Sequence, residues 1–155
     1  MKVSKVGVIG AGQMGNGIAH VLALAGYEVR LNDIDCNVLE ASHAAIEKNM
    51  FRQLKAGKIS EQDQVAALKR IARTIDIADL GKSDLIIEAA TEDERTKQKI
   101  FESLRPHLKS DTILTSNTSS ISITRLASGT DRPEKFLGFH FMNPVPVMQL
   151  VELIR

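Results

Sequence analysis

At 155 residues, 43% apolar and 25% charged, the chain is long enough to bury one core and too short for two ordinary domains. Its 20 lysines and arginines offset 19 aspartates and glutamates, and a net charge of +1 excludes a global electrostatic pull on nucleic acid or acidic membranes, so neither is an expected partner. A single cysteine, Cys36, rules out an intrachain disulfide or thiolate metal cluster; with no leader-like or membrane-length apolar run, the expectation is a metal-free, cytoplasmic protein.

Lys5-Val6-Gly7-Val8-Ile9 reads as a buried strand, broken by Gly10-Ala11-Gly12 before residues 13–25 carry apolar side chains at helical spacing. Gly26 suits the end of that helix, and residues 28–32 alternate into a second strand ending at Asp33. The spacing predicts a long amphipathic helix over 38–56, closed by Gly57. A second helix follows, with Ser60 as N-cap, Asp63 at the capping-box position, and Val65, Leu68 and Ile71 on its apolar side.

Strands are then expected at 74–76 and 84–89, the latter apolar enough for both faces to be covered, with a helix over 94–108. A strand at 112–116 leads into the polar turn Asn117-Thr118-Ser119-Ser120, and a short helix is expected before Gly129. Strands at 136–141 and 148–154 close the chain, joined by an extended Asn143-Pro144-Val145-Pro146. The fold class is therefore α/β: a Rossmann-type, doubly wound, mostly parallel sheet with a helical pair inserted at about 36–72, the whole of 1–155 forming one dinucleotide-binding domain.

Gly10-Ala11-Gly12-Gln13-Met14-Gly15 fits the GxGxxG pattern, whose glycines provide a tight turn, room for pyrophosphate beside the backbone, and close helix-to-strand packing. Asp33 ends the second strand where an acid accepts hydrogen bonds from the adenosine ribose. No arginine follows it to receive a 2′-phosphate, which favours NAD over NADP; Asp35 reads as the cap of the next helix. Ligands of open parallel sheets bind beyond the carboxyl ends of the strands, so the segments after 88, 116 and 138 are the ones to inspect.

Those segments hold Ser116-Asn117-Thr118-Ser119-Ser120, Gly138-Phe139-His140-Phe141-Met142-Asn143-Pro144-Val145-Pro146 and Leu150-Val151-Glu152, and with the glycine turn they resemble the L-3-hydroxyacyl-CoA dehydrogenase family over essentially all 155 residues. The resemblance is closest to short-chain members acting on 3-hydroxybutyryl-CoA. It implies NAD-dependent oxidation of a 3-hydroxyacyl-CoA to the 3-keto form and the reverse, with an acyl-CoA as partner molecule. By the same resemblance His140 is the general base, Glu152 orients it, and Ser119 holds the reacting oxygen.

The resemblance further implies that Glu92 and Lys97 lie near the nicotinamide-side ribose, with Asn117 and Asn143 beside the nicotinamide. Lys97 equally suits an exposed helix face, and Glu152 a solvated strand position. Arg52, Lys55 and Lys58, near the tip of the inserted helices, are candidates for the CoA phosphates or simply a solvated face. His20, His43 and His107 lack such context and are expected to have no catalytic role.

Family members that work alone continue into a second, mainly helical domain that completes the substrate pocket and the homodimer interface. None of its residues precedes Arg155. The expectation for this stretch alone is NAD binding with little turnover and an exposed apolar patch. Two competing readings are a sugar-acid 3-dehydrogenase of the L-gulonate type and a non-catalytic, crystallin-like NAD-binding relative.

Overall fold

The computed structural model describes residues 2–155. Six strands run parallel: β1 (Lys5–Ile9), β2 (Glu28–Asn32), β3 (Ile71–Thr74), β4 (Leu85–Glu88), β5 (Ile113–Ser116) and β6 (Phe136–Phe141). A seventh, β7 (Val151–Ile154), lies antiparallel to β6 at one edge. The spatial order β3-β2-β1-β4-β5-β6-β7 reverses direction between β1 and β4, which opens a crevice there at the carboxyl ends of the strands.

Both faces of the sheet are covered, as the short apolar strands require. Val6, Val8, Leu31 and Ile87 point to one face, under α1 (Gln13–Leu24), α2 (Cys36–Lys55) and α3 (Glu61–Lys69), where Ile18, Ile46 and Met50 complete a fully buried core. Ile86, Leu114 and Phe136 point to the other, under α4 (Glu94–Leu104) and α5 (Ile123–Ser128), where Phe101, Leu104 and Leu126 close a second core. The two-residue alternation of a strand therefore assigns Glu88, Ser116 and His140 to the α4–α5 side.

Four α-helices start with a side-chain cap: Asp35, Ser60, Asp93 and Ser122 each accept from an amide of the first turn, and Ser60 and Asp63 form the expected reciprocal box. Several expected boundaries shift. The third strand is 71–74 rather than 74–76, because Ile71 pairs with Val29 instead of extending the helix and Asp76 caps a following 3₁₀ turn. The inserted helical pair consequently ends at Lys69, short of residue 72.

The helix expected to reach 108 stops at Leu104, where Pro106 forces a 3₁₀ turn. The segment 143–146 is not extended: the amides of Val147 and Met148 both donate to the Pro144 carbonyl, and the last strand begins only at Val151.

Candidate functional site

The sheet's carboxyl edge is built first from β1 and its glycine turn. Gly10 has φ of +92°, and its amide donates to the Asn32 carbonyl, tying the turn to the end of β2. A Cβ on Gly15 would lie 1.6 Å from the Gly10 carbonyl oxygen, so only glycine lets α1 pack this close to β1. At Gly12, by contrast, nothing lies within 4 Å of where a Cβ would be. Gln13 and Met14 open α1, whose N-terminus has no side-chain cap and no acid in its first turn, leaving amides and the positive end of the helix dipole facing open space.

Asp33 closes this turn from β2, one carboxylate oxygen accepting the Ala11 amide at 2.8 Å and the other the Asp35 amide at 3.1 Å. Beside it a cleft of about 590 Å³ runs between Ile34, Ile75, Asp76, Ile77, Ala90 and Ile100. Ile34 and Ile75 are 96% and 62% exposed, apolar walls with nothing packed on them.

A second cluster sits where β4 and β5 end. Glu88, fully buried, accepts from the Ala90 amide at 2.8 Å, the Ser116 hydroxyl at 2.8 Å and the Lys97 ammonium at 2.5 Å. Lys97 is 1% exposed, which excludes the exposed-face alternative. Glu92 receives the Thr118 hydroxyl at 2.7 Å and the Ser119 amide at 3.0 Å, with the Ser119 hydroxyl at 3.3 Å. Burial acts to raise the Glu92 carboxyl, but these hydrogen bonds and the charge of Lys97 outweigh it and hold the group below its ordinary value.

The third part comes from β6 and β7. Their register sets His140 opposite Glu152, and His140 Nδ1 lies 2.9 Å from Glu152 Oε2. A carboxylate only accepts, so Nδ1 carries the proton and Nε2 presents a lone pair. Glu152 is thus not a solitary solvated residue, though its side chain is 49% exposed.

Asn117 Oδ1 accepts the Phe141 amide, locking the end of β5 to the residue after His140. Asn143 Oδ1 accepts from the Gln13 side chain at 3.2 Å, joining the His140 segment to the start of α1. Ser119 hydrogen-bonds to Glu92 rather than His140, yet both it and His140 emerge at the same edge, from strands paired at Ser116 and Gly138.

Of the three cations at the tip, Arg52 and Lys58 line a cleft of about 440 Å³ against Pro144 and Pro146. Lys55 does not line it; its ammonium lies over the Phe51 ring, 5.2 Å from the centroid. His20 is fully buried on Gln53, and His43 faces Glu47. Sequence reasoning missed Glu88. The signal was a carboxylate in a strand expected to be covered on both faces, where burial demands a cation.

The uncapped helix start, the open space at Gly12 and the acid at the end of β2 suit a dinucleotide: backbone amides for its pyrophosphate, Asp33 for its ribose, and the isoleucine-walled cleft for its adenine. Together with an imidazole backed by a carboxylate on the same edge, they define the dinucleotide-binding part of a dehydrogenase.

Residues 5–155 match the family model described as "3-hydroxyacyl-CoA dehydrogenase, NAD binding domain", and the chain belongs to that family. It is 56% identical over 153 residues to a 3-hydroxybutyryl-CoA dehydrogenase of Bradyrhizobium diazoefficiens, covering 99% of this chain and 52% of that protein. An enzyme of the same name from Mycobacterium tuberculosis is 46% identical, with 99% and 54% covered. The crystal structure of (S)-3-hydroxybutyryl-CoA dehydrogenase from Ralstonia eutropha superposes with a TM-score of 0.95 at 43% identity, covering 98% of this chain and 54% of that one. The chain spans about half the length of these relatives. Among the described residues no helix is long and apolar enough to cross a membrane.

Proposed function

We propose that this chain is the cofactor-binding half of an NAD-dependent enzyme that oxidises L-3-hydroxyacyl-CoA, with 3-hydroxybutyryl-CoA as the substrate, and reduces the 3-keto product in reverse. The 2.9 Å His140–Glu152 pair at the same sheet edge as the glycine turn carries this reading. Gly10, Gly12, Gln13, Met14 and Gly15 would hold the pyrophosphate at the head of α1, and Asp33 the adenosine ribose, disfavouring a 2′-phosphate by like charge. Glu92, Asn117 and Asn143 would frame the nicotinamide end, with Lys97 buried behind Glu92 on Glu88 rather than in reach of the cofactor. NAD, when bound, supplies the acceptor for the hydride that leaves carbon 3.

His140 Nε2 takes the proton of the substrate hydroxyl and returns it in the reverse direction. Glu152 fixes the tautomer that leaves Nε2 free and stabilises the imidazolium formed. Ser119, placed by its amide's bond to Glu92, would turn its hydroxyl from the longer 3.3 Å contact with Glu92 and donate to the substrate oxygen, leaving the substrate's own hydroxyl hydrogen to His140 Nε2. Arg52 and Lys58 line the cleft for the CoA phosphates, with Lys55 nearby.

The full-length protein acts in the cytoplasm as a homodimer. Val147, Leu150 and Leu153, exposed by 69%, 57% and 70%, support a covering of the β7 edge in that longer chain. Calorimetric titration of NADH and NADPH into this chain tests the cofactor half. NADH is expected to bind in preference, and Asp33→Ala to weaken it about tenfold or more. Oxidation of L-3-hydroxybutyryl-CoA by the full-length protein tests the rest; activity on L-gulonate instead would reassign the substrate.

A further inference from the structure

Three charges, the buried Glu88 and Lys97 and the exposed Glu92, form an ordered series behind the site. Glu88 on β4 holds Lys97 of α4; Lys97 makes no ion pair with Glu92, yet its charge helps keep Glu92 ionised; Glu92 in turn accepts the amide and hydroxyl of Ser119. Glu88 and Lys97 are 0% and 1% exposed, so neither is solvated by water, and each requires the other. Glu88 also ties down neighbouring backbone. Its side chain accepts the Ala90 amide and the Ser116 hydroxyl, and its carbonyl accepts the Asn117 amide. Asn117 in turn holds the Phe141 amide beside His140. The side chain therefore joins the ends of β4 and β5 to the first turn of α4, while the Glu88 carbonyl, through Asn117, reaches the end of β6.

We propose that Glu88 is a positioning residue of the dehydrogenase site: its carboxylate pins the Lys97 ammonium behind Glu92, so that the Glu92 carboxylate stays directed at Ser119 instead of collapsing onto the lysine. The assignment of Ser119 to the reacting oxygen rests on the function proposed above; the clamp itself does not. Groups facing Glu92 are Lys97 from α4 and Thr118 and Ser119 from the segment after β5, with Glu88 behind Lys97 on β4. Without Glu88, the ammonium is the strongest unpaired charge near Glu92 and turns toward it. The Ser119 amide then loses its acceptor. Without Lys97, Glu92 loses the cation that helps depress it, and its carboxyl protonates at higher pH than in the wild type.

The test follows the Glu92 carboxyl by carbon NMR from pH 3 to 7, and the Ser119 amide by nitrogen–proton NMR, in wild type, Glu88→Gln and Glu88→Gln/Lys97→Met. NADH affinity is measured in parallel by fluorescence. In Glu88→Gln the Ser119 amide is expected to shift and NADH affinity to fall about tenfold or more. In the double variant, which buries no unpaired charge and serves if the single variant does not fold, Glu92 is expected to titrate at higher pH than in the wild type. A folded Glu88→Gln with an unmoved Ser119 amide, or a double variant in which Glu92 titrates as in the wild type, overturns the proposal. Failure of the wild type itself to bind NADH overturns the cofactor reading, while the two NMR readouts still decide the clamp.

Discussion

The glycine turn of β1–α1 and the β6–β7 edge would serve the proposed site by opposite means. At the turn the functional element is backbone: uncapped amides, a left-handed Gly10, and an approach of α1 to β1 that any Cβ on Gly15 would block. At the edge the functional elements are side chains, and every residue of β7 is exposed. Geometry that depends on packing density cannot be altered without altering the fold, whereas a partly exposed imidazole and a half-exposed carboxylate can be replaced with the fold intact.

Gly15→Ala attacks the first kind of region. With its new methyl placed against the Gly10 carbonyl, it is expected to cost at least about 3 kcal/mol and to abolish NADH binding, read by urea denaturation and calorimetry. His140→Asn attacks the second. In the full-length protein it should lower kcat by roughly 10²- to 10⁴-fold while changing stability by less than about 0.5 kcal/mol and leaving NADH affinity unchanged. Loss of NADH binding with His140→Asn would erase the contrast between the two regions.

Glu152→Gln sharpens the comparison further, since it keeps an acceptor for Nδ1 and removes only the charge. A fall in kcat of about 10- to 100-fold is expected, smaller than for His140 because the half-exposed carboxylate is partly solvated.

The smallest effect lies between α1 and α2, where His20 is buried against Gln53. Burial pushes the His20 imidazole below its ordinary value, and the Gln53 hydrogen bond offsets this only in part. The folded chain therefore keeps His20 neutral where the unfolded chain takes up a proton, so stability declines as pH falls below about 6.5. Denaturation midpoints between pH 7.5 and 5.5 should show that decline in the wild type and a shallower one in His20→Gln.

Much of this molecule is local in origin. The GxGxxG turn, Asp33 at the end of β2, the Ser60–Asp63 box and the capping of α2 by Asp35 involve residues near in sequence or repeat a short backbone motif, so composition and spacing were enough to read them. The candidate residues His140, Glu152 and Ser119 were legible because their flanking segments resemble a known family, not because any spacing demands them. Boundaries failed where two local preferences competed, as at Ile71, apolar in helical register but claimed by pairing with Val29.

What only the tertiary structure decided is which polar residues share a buried site. Glu88 and Lys97 belong to different elements, and nothing in either segment states that the lysine turns inward. The choice is made when the end of β4, α4 and the end of β5 close around Glu88 and Lys97 and shut them off from solvent, where an acid and a base must meet or remain unsatisfied. The same closure turned Ser119 toward Glu92 and brought Asn143 to Gln13, contacts spanning 27 and 130 residues that exist only once the sheet has ordered its strands.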